Sequence, residues 1–206
     1  MKKIAMMAAL LIVMPLGLLA QDVILDRIES MNASIKTIEA HFDQTKTLPA
    51  SGKEIKSEGT LYFTAKDRMS MVYSSPESDL FIIDGTKVSM SHGGRKNVYD
   101  TSRNALMGSL SATLLGCITG QVRPLAMEND AEIAAEQTKD GYLVTMTARK
   151  KAAKGYSSIV LLYDLKTCVL KRMEMVEFSK ISNLYEMSSI KTGGAIPPAV
   201  YVFDGK

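Results

Sequence analysis

The sequence predicts a mainly β protein in which an antiparallel sheet curls into a sandwich or barrel and helices pack against it. Three observations carry that expectation. Short runs rich in β-branched and aromatic residues recur along most of the chain, turn residues punctuate them, and only two segments read as helix. The 206 residues suit one domain, and nothing in the order of residues suggests an internal repeat or a linker.

The first element is a leader. Lys2-Lys3 forms a short basic region, Ile4 to Leu19 is almost wholly apolar, and Ala20 is a small residue before the polar pair Gln21-Asp22. The apolar run is short for a membrane span of ~20 residues, and Pro15 and Gly17 weaken a long helix. The reading is a secretory signal peptide over residues 1–20 and a mature domain over residues 21–206. Export places the protein outside the cytoplasm, where a disulfide between Cys117 and Cys168 is permitted. Sequence leaves open whether they pair or stay as buried thiols.

The first mature element is an amphipathic helix. Ile24, Ile28, Met31, Ile35, Ile38 and Phe42 recur at steps of three and four, with Asp22 as N-cap and Asp26, Glu29, Asn32 and Lys36 opposite. From Gly59 the period changes to two. Strand-like runs follow at Thr60–Thr64, Met69–Tyr73, Leu80–Ile83, Thr86–Met90, Tyr142–Ala148, Ser158–Asp164, Val169–Phe178 and Leu184–Ile190. Val200–Phe203 is a further candidate. Asp84-Gly85 between two apolar runs signals a tight hairpin.

The second helical segment is Ala105 to Val122, which carries no charged residue. Leu106, Leu110, Leu114 and Cys117 share a face, with Ile118 beside them, while Gly108, Gly116 and Gly120 weaken the helix by ~1 kcal/mol each. It reads as a short, pliable helix or helix pair, either an ordinary core element or a movable lid over an apolar space. Seven methionines on predicted strands (Met69, Met71, Met90, Met146, Met173, Met175 and Met187) fit a site for flexible apolar ligands, and equally fit irregular core filling.

Charge and chemistry exclude several functions. Net charge is +3, two of the positives are Lys2 and Lys3, and the remainder is near neutral, so nucleic acid is not an expected partner. Two His and two Cys supply no metal-binding spacing, and no nucleophile elbow occurs. His41 is expected on the flank of the first helix and His92 at a hairpin tip. Glu54 and Glu58 sit in a turn-prone stretch, and Arg149, Lys150, Lys151 and Lys154 form a basic turn. No catalytic residues, cofactor or metal are expected.

The stretch from His41 to Gly85 resembles the LolA family of periplasmic lipoprotein carriers. The matching pieces are Phe42-x-Gln44, Gly59-Thr60-Leu61-Tyr62-Phe63, Tyr73-x-x-Pro76 and Ile83-Asp84-Gly85, in the family's order and spacing. The late half is similar by strand pattern, and the ending from Ile190 to Phe203 is similar too. The resemblance implies a half-open antiparallel β-barrel covered by an N-terminal helix and a short apolar lid helix. It also implies a monomeric periplasmic carrier of acylated lipoproteins or lipid, working between an inner-membrane ABC transporter and an outer-membrane acceptor. Met69, Met71, Tyr73, Phe81 and Ile83 would line the cavity, with Leu106, Leu110, Leu114 and Ile118 on the lid. One departure stands out: Ala65 and Lys66 occupy positions where the family usually has Arg-Pro, the Arg helping to latch the lid. The competing readings are a lipid-binding or envelope-stress sensing module on the same half-barrel, and a secreted enzyme.

Overall fold

A computed structural model describes residues 16–152 and 154–204, with side chains from Ala20 onward. The basic and apolar parts of the expected signal peptide lie outside the described residues up to position 15. Leu16 to Ala20 open the first helix, α1 (Leu16–Ala33). Among the described residues, no helix is long and apolar enough to cross a membrane.

Eleven strands form one antiparallel sheet. In chain order they are β1 (Thr37–Leu48), β2 (Lys53–Thr64), β3 (Arg68–Ser75), β4 (Leu80–Asp84), β5 (Lys87–His92) and β6 (Arg95–Asp100). After two helices come β7 (Ala131–Gln137), β8 (Tyr142–Ala148), β9 (Tyr156–Tyr163), β10 (Leu170–Glu177) and β11 (Ser182–Thr192). The spatial order β6-β5-β4-β3-β2-β1-β11-β10-β9-β8-β7 joins the two ends of the chain through the β1–β11 pair. The helices α2 (Ala105–Ile118) and α3 (Val122–Glu128) connect the two edge strands, β6 and β7.

Alternation makes one face of this sheet apolar. Leu61, Met71, Phe81 and Met90 are in register across β2 to β5, as are Phe63, Met69, Ile83 and Val88. On the other half, Val144, Leu161, Met173 and Tyr185 form a matching row across β8, β9, β10 and β11. Directly opposite residues share a face, so these rows make a continuous inner surface. The curled sheet turns that surface toward α1, α2 and α3, where Leu25, Ile28, Leu114, Cys117, Ile118, Val122 and Leu125 complete the core. The seven methionines all lie on strands, five of them buried.

The two cysteines are buried free thiols. Burial pushes the Cys117 thiol up, and the hydroxyl of the buried Tyr163 donates to the Cys117 carbonyl at 2.7 Å, fixing the end of α2 to β9.

The amphipathic stretch ends earlier than its periodicity predicts. The helix stops at Ala33, and Ile38 and Phe42 lie on β1, not on a helix, with His41 between them. A spacing of four satisfies both periods, and Ala40 between Ile38 and Phe42 is buried with them, which is strand alternation. On α1 the inward face is Leu25, Ile28 and Asn32, while Met31 is exposed. Buried Asn32 donates to the carbonyls of Ile28 and Cys168. Asp22 is inside the helix rather than at its cap, because the helix begins upstream, and its carboxylate pairs with Arg123.

Smaller corrections have similar causes. Glu54 and Glu58 lie on β2. Val200–Phe203 is not a strand, because Pro198–Tyr201 forms a 3-10 turn that packs on the outer face of β3 and β4, where Tyr201 is buried. The β4–β5 hairpin turns on Gly85-Thr86, with Asp84 still paired to Lys87, and only Gly85 takes a positive φ, +58°. His92 is the last residue of β5, and the turn beyond it is Gly93-Gly94.

Gly59 shows how tightly the inner layer is built. A Cβ there would stand 2.2 Å from the Val72 carbonyl oxygen and 2.9 Å from the Phe42 ring. Gly59→Ala should therefore cost about 1–3 kcal/mol through forced backbone movement. Gly194→Ala, with nothing within 4 Å of its Cβ, should stay within about 0.5 kcal/mol of the parent. Urea unfolding of both variants checks the pair.

Candidate functional site

The helices do not fill the curled sheet. A cavity of about 400 Å³ remains between α2 and the inner faces of β2 to β5 on one side and β9 to β11 on the other. Its apolar wall includes Met71, Phe81, Met90, Met175, Leu110 and Leu114. Its mouth is polar, with Gln44 and Lys46 from β1, Glu177 from β10 and Asn183 from β11. This is the usual division of a ligand pocket, apolar within and polar where orientation is set.

Of the nine residues that the sequence placed in the site, Met71, Tyr73, Phe81, Leu110 and Leu114 line this cavity. Met69 and Ile83 lie one pair further along the same inner face and are fully buried in the core. Ile118 is buried one turn beyond Leu114 at the far end of α2. Leu106 is 53% exposed at the start of α2 and is not among the residues that line this cavity.

Several liners were hidden from sequence reasoning. Gln44 and Lys46 are hidden because the apolar spacing up to Phe42 fits a helix, while the structure makes it the strand β1. Tyr185 and Met175 carried a usable signal: Met173 and Met175 alternate on β10, and Tyr185 stands opposite Met173 on β11.

A tyrosine network braces the mouth. Tyr73 donates to Gln44 Oε1 at 2.9 Å, and Gln44 Nε2 donates to the Tyr185 hydroxyl at 3.1 Å and to Asn183 Oδ1 at 3.3 Å. Phe42 packs edge-on against Tyr73 with ring centres 5.1 Å apart, in the favoured T-shaped arrangement. Burial, and then the Asp79 carboxylate, push the Tyr73 phenol up to about 12. Burial, and then Glu177, do the same at Tyr156, also to about 12. Burial likewise holds the Tyr185 phenol well above the ordinary tyrosine range. At the rim, Asp79 accepts from the Gly93 amide and pairs with His92 Nδ1, fixing the β5–β6 turn against the β3–β4 loop.

The cover is held unevenly. At the N-terminal end of α2, the Asn104 side chain caps the Met107 amide, and the first turn is largely exposed. At the C-terminal end, Tyr163 holds Cys117, and α3 is tied to α1 by Arg123, which meets Asp22, Asp26 and Glu29 at 3.2, 2.9 and 2.8 Å. Lys66 lies in the depression beside the α2–α3 turn, near Gly116 and Thr119. Arg68 is not at the cover: it pairs with Asp84 at 2.9 Å and lies over the Tyr201 ring at 4.2 Å on the outer face. The basic turn after β8 is partly neutralised by Asp130, which faces Arg149 and Lys150.

The raised tyrosines give stability a sign with pH. A phenol whose folded pKa exceeds its unfolded value near 10 stabilises fully below ~10 and progressively less as pH rises through the folded value. Unfolding free energy should be insensitive to these groups up to about pH 9 and decline between ~10 and ~12. Absorbance at 295 nm should show Tyr73, Tyr156 and Tyr185 ionising only above the ordinary tyrosine step. A single step near 10 for all eight tyrosines would contradict the buried network.

Comparison with known proteins adds identity to this geometry. The family model described as "Outer membrane lipoprotein carrier protein LolA" matches residues 33–204. An outer-membrane lipoprotein carrier protein of Methylibium petroleiphilum is 27% identical over 175 residues, covering 84% of this chain and 81% of that protein. Among solved structures, a putative outer membrane lipoprotein-sorting protein domain from Vibrio parahaemolyticus shares the fold. Its TM-score is 0.51 at 11% identity, over 88% of this chain and 95% of that one. With the match spanning most of the sequence and the half-open sheet in place, the chain belongs to the LolA family.

Proposed function

We propose that this protein is a periplasmic, non-catalytic carrier that shields the acyl chains of lipoproteins in the cavity beneath α2. It would take them from an inner-membrane ABC transporter to an outer-membrane acceptor. The observation that supports this reading is the cavity itself, apolar within and covered by a helix that is firmly held at one end only. Family membership and the carrier named as a relative point the same way.

The physics of the role requires two properties. Each methylene of an acyl chain costs ~0.8 kcal/mol to keep in water, so the carrier must supply an apolar wall. Cargo must also leave, so the cover must open without unfolding the sheet. Met71, Met90 and Met175 suit the first requirement, because unbranched thioethers adapt to chains of different shape. The gradient of burial along α2 suits the second. Its first turn is exposed and its last is buried, so opening from the Asn104 end exposes Leu110 and Leu114 while Cys117 stays bound to Tyr163. Lys66 gives the cover a flexible cation where the family usually has Arg-Pro, and Ala65 has no polar side chain to contribute.

Leu110 and Leu106 separate this reading from a passive core helix. Leu110 is half-buried and faces the cavity, so Leu110→Glu should lower acyl-chain affinity at least about tenfold, with the circular dichroism spectrum unchanged. Leu106→Glu, on the exposed first turn, should leave affinity within about twofold. Titration of a fluorescent fatty acid into both variants measures this. Equal binding by folded Leu110→Glu and the parent protein would sink the assignment of the cavity as the acyl site.

A further inference from the structure

The sheet has a second opening. Pairing between β10 and β11 ends at Arg172–Glu186, and beyond it β11 bulges at Ser189 and Ile190, opposite the single residue Ala40. Ser189 takes a φ of +51° there. The two strands separate and leave a cleft of about 340 Å³, with Asp164, Thr167 and Lys171 on its rim and Val169, Met187 and Ile190 on its floor. Bulges of this kind bend a strand and re-aim its side chains.

The cleft and the cavity beneath α2 are separated by packed core in which one small void remains. Between them is a void of about 10 Å³ with a wholly apolar wall that includes Ile38, Ala40, Leu61, Ile118, Val169 and Met187. On one side Leu61 pairs with Met71 of the cavity, and Ile118 lies one turn from Leu114. On the other side Val169 and Met187 also form the cleft floor. The void therefore borders the cleft directly through Val169 and Met187, whereas the buried side chains of Phe42, Leu61 and Leu114 stand between it and the cavity. Met187 stands opposite Phe42 on the inner face and is half-buried. Its three flexible torsions let it move aside, and Ala40 presents only a methyl group across the gap.

We infer that Met187 gates a passage from the cavity to the cleft between β10 and β11. The methyl end of an acyl chain too long for the cavity passes the Ala40–Ile118 constriction and comes to rest on Val169 and Ile190. This rests on the acyl-carrier reading. Its rationale is room, because a cavity of about 400 Å³ is at the small end of the ~300–1,000 Å³ span of ligand pockets. The polar mouth at Gln44, Lys46 and Asn183 keeps the head of the chain outside and directs its methyl end inward. From Gln44 to Ala40 is about 13 Å along β1 at the usual strand rise, so only the far part of a long chain reaches the gate.

The test uses the wild-type protein with methyl-labelled side chains and stearic acid carrying a nitroxide at carbon 5 or carbon 16. The carbon-16 label should broaden the methyl signals of Val169 and Ile190, and the carbon-5 label those of Met71 and Leu110. In Ala40→Phe or Met187→Trp, whichever folds, the carbon-16 effect on Ile190 should disappear while binding of lauric acid stays within about twofold. If the carbon-16 label broadens only Met71, Leu110 and their neighbours in the wild type, the gate is wrong and the carrier reading stands. If neither labelled acid binds, the carrier reading fails and the gate falls with it.

Discussion

A single curved sheet with one apolar face has to hide that face, and here its two edges do not meet to close a barrel. The rest of the structure follows from that mismatch. The chain links the edge strands β6 and β7 by the only two helices between them, so α2 and α3 are drawn across the gap as cover. Helix α1 packs beside α3 along β7. Together the helices seal the end of the sheet near Ile118, Val122 and Leu125 and leave the end near Leu110 hollow.

The balance of forces in the cover is unequal by construction. At the sealed end, Cys117, Ile118, Val122 and Leu125 are each at most 2% exposed, and burying a large apolar side chain contributes ~1.5–3 kcal/mol. Arg123 adds three carboxylate contacts, although each involves partly exposed partners and is therefore modest. At the hollow end, α2 offers Leu110 and Leu114 to an unfilled space, where missing neighbours mean missing dispersion contacts. On the proposed function, an acyl chain that fills the space would restore those contacts, which would link binding to closure of the cover.

Much of this was legible in the sequence, and the failures have a common cause. The inner rows of β3, β4, β8, β9 and β10 could be read because β-branched, aromatic and other apolar residues cluster there between turn residues, and on β3 Met69, Met71 and Tyr73 alternate with Arg68, Ser70 and Val72. The β1 strand could not, because Ile24, Ile28, Ile35, Ile38 and Phe42 keep steps compatible with a helix, and only Ala40 betrays the strand. That error hid Gln44 and Lys46 at the mouth. The exposed edge β6 has one half-buried residue, Tyr99, and so no apolar pattern to detect. The apolar character of residues 105–122 is plain, and of the single helix and the helix pair it allows, the structure has the pair, divided at Gly120, whose φ of +67° ends the first helix against Asn32. Which leucines face the hollow end depends on tertiary placement: Leu106 and Leu110 share a helix face, yet only Leu110 lies over the cavity.

The central claim is that the space beneath α2 exists to hold acyl chains. Native mass spectrometry of the protein released from a bacterial periplasm, followed by lipid extraction, tests it most directly. The account predicts a population heavier than the bare chain by the mass of an acylated peptide or lipid, and saturable uptake of an added triacylated peptide by the remainder. A single bare mass, with no uptake of that peptide by the folded protein, would contradict it.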